Sequence, residues 1–385
     1  MTANQDALFV GLRRSPLEWR AEIEAANELG FVVHATSDGD LSSVALPKAQ
    51  TTRFAWGGGA AAVAERILAG LACKPALVAC WGDRFVEVTA RVATALSLRS
   101  VGPEAGAICC DKAAQRRVLE PLGLNPRWRT GTTREELDRA VAELQGPLVF
   151  KVAHASGGLG LSLLDGRQDL SEVLSATSAN YIDSRAFVVE KLVVGSEHSA
   201  AGVVSNGEPV VFAIADKTLE EGSFFTHTTV VPSALGSEQV ESLRSAAARA
   251  VRAVGIRDGG FHVDLKLGER GPIVLEVGAR LGGDLINSHL IPMATGGACQ
   301  PYKALIHALA SGSAPPAVRD YTSRVAMLLL PIAGGALERA KSHPLVRTAA
   351  EWPSDRPDVF SVTLEATPHE PLAAVISDFV AWLRR

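Results

Sequence analysis

The stretch PLVFKVAHASGGLG, residues 147–160, sets a lysine inside an apolar strand and follows it with a serine and three glycines within five residues. A glycine-rich turn carrying a hydroxyl can aim several backbone N–H groups at one anion, because the missing Cβ admits positive φ and close approach. Ser156, Gly157, Gly158 and Gly160 therefore read as a phosphate cradle. Further along, HVDLKL and IVLEVGAR carry one acid each, Asp264 and Glu276, placed symmetrically about a GERG turn. Neighbouring strands lie about 4.8 Å apart. Two facing carboxylates at that spacing repel unless a cation separates them, and hard oxygen donors of this kind suit Mg²⁺ bridging phosphate oxygens. Arg280, with Gly282 and Gly283 just beyond it, forms a small anion-receiving corner beside this pair. Of 38 basic residues only nine are lysines, and two of the nine, Lys112 and Lys151, stand where a nucleotide would need a cation.

The elements that must hold these residues follow from periodicity and punctuation. ALFVGLRRSPLEWRAEIEAANELGFVVHATS reads as strand, helix, strand, with Gly30 stopping the helix, and PALVACWGD followed by RFVEVTARVATALSL supplies a further strand and helix. This alternation predicts a parallel, Rossmann-like sheet over about residues 6–110. Its first turn, Gly11-Leu-Arg-Arg-Ser, is not the GxGxxG fingerprint of a dinucleotide site, and Gly57–Gly59 eases a loop into a helix. Residues 111–145 read as helical, the second helix opening on a Thr-x-x-Glu capping box. The glycine loop then joins two strands, which excludes a Walker loop, where the lysine follows the glycines and a helix begins at once. AFVVEKLVVGSEHSAAGVVSNGEPVVFAIADK alternates as antiparallel strands, SEQVESLRSAAARAVRAVG is a helix, and the two acid-bearing strands follow. Asp83 and Glu87 fall at the carboxyl edge of the first sheet, where open α/β folds bind ligands, and are substrate-side candidates.

Composition narrows the class. The chain has 385 residues, 47% of them hydrophobic and 21% charged, with a net charge of −4. Two or three compact units are expected, and neither a disordered chain nor a polyanion binder is. No basic leader and no apolar run of membrane length is present, so a cytoplasmic protein is expected, with no nucleic-acid or membrane partner. Five cysteines without a CxxC pair read as reduced, buried thiols.

Taken in order, DK at 111–112, PLVFKVAHASGGLG, VVEKLVVGSE, HVDLKL and LEVGARLGGD resemble the ATP-grasp superfamily. LEVGARLGGDLI with HTTVVPSAL looks most like the carboxylate–amine ligase branch that joins amino acids, the L-amino-acid (dipeptide) ligases. The resemblance implies an α/β and α+β chain, an ATP-grasp fold behind a Rossmann-like domain. Its parts would be 1–110, the N-terminal domain; 111–192, the small subdomain with the lid; 193–315, the large subdomain with the metal site; and 316–385, a covering segment. It implies ATP and Mg²⁺ as cofactors, one ion or two with Mn²⁺ as a substitute, small amino-acid-like substrates, and leaves a homodimer open.

By match of motif, Lys112 and Lys151 contact phosphate or base, and the glycine loop closes over the terminal phosphates. Glu190, Lys191, Leu192 and Val193 match the hinge that reads adenine through backbone groups, with Glu190 on the side of its amino group, and Glu197 matches the acid on the ribose. Asp264 and Glu276 match the Mg²⁺ ligands, and Arg280 the arginine that binds an acyl phosphate. Gly278 departs from the pattern, since many relatives carry Asn there; a second ion would lean on phosphate, water or a group such as Asn287. His227, in FFTHTTVVPS, matches a loop lining the amino-acid site, and its neutral imidazole suits a general base. The implied reaction is ADP-forming ligation through an acyl phosphate. A purine-pathway or carboxylase-like enzyme and a nucleotide-binding regulator that has lost catalysis are the alternatives.

Overall fold

The computed structural model describes residues 5–39, 41, 49–179, 182, 184–352 and 358–384. Three sheets meet around the residues singled out above. Strands β1 (Gln5–Val10), β2 (Phe31–Ser37), β3 (Ala49–Arg53) and β4 (Leu77–Cys80) form a parallel sheet of order β3-β2-β1-β4. The apolar runs of β1, β2 and β4 are buried on both faces, as parallel strands flanked by helices require, while edge strand β3 is polar and exposed. Helix Pro16–Glu28 ends at Leu29, and Gly30 follows at φ +86°, the left-handed stop expected from the sequence.

A second, antiparallel sheet of order β5-β8-β6-β7 is built from β5 (Trp128–Gly131), β6 (Leu148–Val152), β7 (Leu161–Leu164) and β8 (Phe187–Lys191). Helix Arg134–Leu144 lies against it. Thr133 and Glu136 close its first turn as the capping box read from the sequence, each side chain bonding the other residue's backbone.

The third sheet is the largest, with order β13-β12-β9-β10-β11-β14-β16-β15. It comprises β9 (Ser196–Ser205), β10 (Glu208–Leu219), β11 (Thr226–Val231), β12 (Gly259–Gly268), β13 (Gly271–Gly278), β14 (Arg324–Pro331), β15 (Val346–Glu351) and β16 (Val359–Ala366). Residues after 316 thus add three strands to this sheet, along with helix Leu372–Leu383. Helix Ser237–Val254 covers one face of β9, β10, β12 and β13 with Leu243, Ala246, Ala247, Ala250, Val251 and Val254. The alanines let the helix axis approach closely, while each larger side chain contributes about 1.5–3 kcal/mol of burial. On the other face, helices Pro16–Glu28 and Pro301–Ser311 share one core with β1, β4, β9 and β10. Among the described residues no helix is long and apolar enough to cross a membrane.

Candidate active site

Register does most of the positioning. In the large sheet Asp264 stands opposite Glu276 on β13 and opposite Ser199 on β9, while Glu197 stands opposite both Lys266 on β12 and Lys217 on β10. Cross-strand partners share a face and side chains alternate with period two. Asp264, Glu276, Ser199, Glu197, Lys266 and Lys217 therefore form one polar face on a sheet whose other face is core. Asp264 Oδ1 accepts from Ser199 Oγ at 2.6 Å and Lys217 Nζ at 3.2 Å, and lies 3.1 Å from His262 Nε2. Burial would raise its pKa, but Lys217, His262 and Ser199 outweigh that and hold it well below the usual carboxylate range. Burial likewise works against the Lys217 ammonium, yet Asp264, Asp284 and Glu197 raise its pKa and keep it charged. Glu197, 3.7 Å from Lys266, is raised by burial and by Asp264.

Lys112 connects this face to the small sheet. Its helix starts at Asp111, whose side chain accepts from Ala113 N at 2.8 Å. The Lys112 backbone N–H donates to Ala153 O at 3.0 Å, and its ammonium donates to Ala155 O at 2.5 Å and to Glu276 Oε1 at 3.0 Å. One lysine therefore spans the root of the glycine loop and an acid of the large sheet. Next to it, Gln115 accepts from Val277 N and donates to Val277 O, pinning the helix to β13.

Lys151 and Glu190 face each other across paired strands of the small sheet, 2.8 Å apart, and Arg116 Nε lies 2.6 Å from the other Glu190 oxygen. Burial pushes the Glu190 carboxyl up, but Arg116 and Lys151 reverse the shift and hold it ionised. Burial lowers the Lys151 pKa despite Glu190. Both Glu190 oxygens are thus engaged with buried cations. The N–H groups of Lys191 and Leu192 are likewise engaged, with Arg127 O and Pro147 O. Any base reading at the hinge then falls to the carbonyls and to Val193.

Arg280 bonds to the carboxylate of Asp83 at the end of β4 and donates to Leu281 O at 3.0 Å. Burial again raises the acid, and Arg280, then Arg13 and Lys112, bring it below its ordinary value. At Gly278 a Cβ would stand 3.4 Å from Asp83 Oδ1, an ordinary contact. Gly282 is constrained: a Cβ would meet His262 Nδ1 at 2.2 Å. Glu87 is not brought into the cluster; its carboxylate bonds Arg91 one turn along its own helix, at 2.7 and 2.9 Å. His227 lies on β11 two residues from Thr229, the strand partner of Lys217, and its Nδ1 is 2.8 Å from Thr228 Oγ1.

The glycine loop joins β6 to β7 with Gly157, Gly158 and Gly160 at φ +66°, +79° and +67°. Gly160 also abuts Val152, whose Cγ2 would be 2.3 Å from an added Cβ. The tip meets the β10–β11 connection, where Phe225 would be 3.3 Å from a Cβ on Gly158.

Among the described residues no group of three or more His, Cys, Asp or Glu gathers as a metal cage. The donor set still fits Mg²⁺, which is commonly held by one or two carboxylates with substrate phosphates and water. The bonds described leave Asp264 Oδ2 and Glu276 Oε2 outside them, on register-paired residues. Asn287 donates to Gly282 O at 3.0 Å and buries an unpartnered Oδ1.

Sequence reasoning missed Arg116, Lys217, Ser199 and Arg13. Lys217 had a signal, being one of nine lysines and set in the strand FAIADK. Arg116 and Ser199 lie within helix and strand patterns that ordinary surface residues satisfy, and Arg13 in the turn after β1.

Comparison with known proteins places these observations. Residues 144–288 match the model of the ATP-grasp domain. The chain is 27% identical over 245 residues, 56% of its length, to uncharacterized protein y4rH of Sinorhizobium fredii, and covers 48% of that protein. It is 25% identical over 226 residues, 52% of its length, to alanine–anticapsin ligase of Bacillus subtilis, covering 47% of that chain. The chain thus spans about half the length of these curated relatives. Its structure superposes on L-amino acid ligase from Bacillus licheniformis with a TM-score of 0.78 at 20% identity, over 99% of this chain and 98% of that one.

Proposed function

We propose, from the ATP-grasp domain and fold that this chain carries, that it is an ADP-forming carboxylate–amine ligase acting on amino-acid-type substrates. One observation supports this most: Lys112, the Asp264–Glu276 pair and the Arg280–Asp83 pair converge on the polar face of the large sheet, beneath the glycine loop.

In this reading ATP lies between the small and large sheets. Lys112 and Lys151 face its phosphates, the backbone of 156–160 closes over them, and Glu197 takes the ribose. Asp264 and Glu276 would hold Mg²⁺, with Asn287 Oδ1 as a further oxygen, and the ion would neutralise charge on the terminal phosphates. Arg280, fixed by Asp83, is a permanently charged planar donor. It orients the substrate carboxylate for attack on the γ-phosphorus, and the P–O bond to ADP breaks as the acyl–phosphate bond forms. The amine then attacks the acyl carbon, phosphate leaves, and one proton is lost from the nitrogen. His227 accepts that proton. Arg280 stabilises the oxyanion as charge develops, the step at which such donors contribute most.

The test is incubation with ATP, Mg²⁺ and a matrix of amino-acid pairs, reading phosphate release and product mass together. Phosphate release that needs both a carboxylate and an amine, with a product one water lighter than their sum, is expected. Products carrying bicarbonate, or AMP in place of ADP, would overturn the reading.

A further inference from the structure

Helix Pro16–Glu28 turns two acids inward. Glu18 and Glu22, one turn apart on one face, are 4% and 0% exposed, beside Trp19, Ile23 and Ala26. Arg13 faces them, its Nε 3.7 Å from Glu22 Oε1, at ion-pair separation but beyond a hydrogen bond. The two buried acids share Arg13, whose backbone N–H lies 3.5 Å from Glu22 Oε2, with Arg280 acting more weakly on Glu18, and burying a charge is costly unless it is both paired and hydrogen-bonded. The fold leaves these only partly satisfied: Glu18 Oε1 and Glu22 Oε1 have no hydrogen-bond partner.

The same neighbourhood holds unpartnered donors at Arg13 Nε, Trp81 Nε1 and Arg280 Nε. Trp81, 1% exposed at the end of β4, packs edge-on against Tyr302, ring centroids 5.1 Å apart. The Tyr302 phenol is pushed well above its ordinary pKa by burial and then by both glutamates. Arg13 bonds Leu281 O, and its guanidinium lies 3.0 Å from where a Cβ of Gly283 would be, which brings it next to the Arg280 corner. Burial raises both acids, Glu22 well above the ordinary range, while Arg13 opposes the shift. The backbone beside them is strained: Asp284 and Leu285 sit at φ +59° and +56°, directly before the π-helical turn Ile286–Leu290. Left-handed non-glycine residues and π turns persist where function holds them.

Unpartnered acceptors at one end and guanidinium donors at the other are the complement of an amino-acid zwitterion. We infer that Glu18 and Glu22 receive the ammonium group of an amino-acid substrate whose carboxylate lies toward Arg280. The side chains of Arg13 and Asp284 keep 13% and 31% of their exposure, and the inference requires the ammonium to pass them. The inference rests on the ligase reading for the identity of the ligand, but its test needs no turnover.

The probes are the twenty proteinogenic amino acids and, for each that binds, the matching acid without its amino group. Binding to the full chain with ADP and Mg²⁺ is read by calorimetry and thermal shift. An amino acid should bind and its des-amino acid should bind about 10- to 150-fold more weakly, the loss of a charge-assisted hydrogen bond. Hydrogen exchange over helix Pro16–Glu28 of the unaltered protein should slow with the amino acid and not with the des-amino acid. Glu18→Gln and Glu22→Gln should weaken binding by the same factor, yet leave the ligand-free protein at least as heat-stable, since each removes an incompletely paired buried charge. No binding by any amino acid, equal binding of the des-amino acids, or unchanged exchange over the helix would overturn the inference. Gln variants that lose stability while binding normally would make the pair structural. Binding with these properties but no ligation would leave this site standing and remove the reaction proposed for it.

Discussion

Asp83→Asn tests how Arg280 is held. The two side chains keep 21% and 15% of their exposure, and the carboxylate bonds the guanidinium directly. Breaking a fully buried pair costs about 3–5 kcal/mol. Residual solvent access and the oxygen that Asn retains reduce this to roughly 1–2 kcal/mol. For a chain of 385 residues that is a fall in melting temperature of roughly 1–2.5 °C. If Asp83 acts by aiming Arg280, the same energy is lost from the transition state, a drop of about 5- to 30-fold in ATP-dependent phosphate release. Arg280→Ala should cost more, because it removes the cation itself. The decisive variant is the double one: in the Arg280→Ala background, Asp83→Asn should change the rate by less than about twofold. Additive effects of the two substitutions would show that Asp83 acts by another route and refute the positioning argument. Calorimetry on the same four proteins separates loss of fold from loss of orientation.

Gly160→Ala forces a Cβ within 2.3 Å of Val152 Cγ2 at φ +67°. The left-handed strain alone costs about 1–2 kcal/mol. Nucleotide affinity should therefore fall at least fivefold, measured by calorimetry with an ATP analogue, and near-normal affinity would count against the loop as a phosphate cradle. The pH dependence of stability should carry the mark of Glu18 and Glu22, which face Arg13, Arg280, Asp284 and Tyr302. An acid whose folded pKa is raised binds more protons folded than unfolded. Its contribution is thus lost as pH rises from the ordinary carboxylate range through the folded value. Melting temperature should fall from pH 5 to pH 8 in the unaltered protein and fall less in Glu22→Gln; parallel curves would refute this. Asp83 and Asp264 work in the opposite sense, since their depressed values lose stability only as pH falls below the ordinary range.

Two acid-bearing strands about the GERG turn were legible, but simple pairing from Gly268 and Gly271 would set Asp264 opposite Leu275; the bulge between Asp264 and Leu265 shifts the register by one and brings Asp264 opposite Glu276. The parallel first sheet and the strand–loop–strand around the glycines were equally legible, because local spacing carries that information. Contacts between sheets were not. Asp83 and Arg280 are 197 residues apart, and the Arg116–Glu190–Lys151 cluster joins a helix to two strands of another sheet. The alternation of β8 cannot show that Arg116 approaches Glu190 from a helix 74 residues away. Glu18 and Glu22 have the spacing of any solvated helix face; only the packing of helices Pro16–Glu28 and Pro301–Ser311 against the large sheet buries them.

The central claim is that a substrate carboxylate attacks the γ-phosphate of ATP at Arg280. Its most direct test is to supply amino acids labelled with ¹⁸O in the carboxylate, with unlabelled ATP, Mg²⁺ and the amine partner, and to weigh the phosphate released. Attack through an acyl phosphate carries one carboxylate oxygen into each phosphate, so singly labelled inorganic phosphate alongside ADP is the expected result. Unlabelled phosphate, or label appearing in AMP, would contradict it.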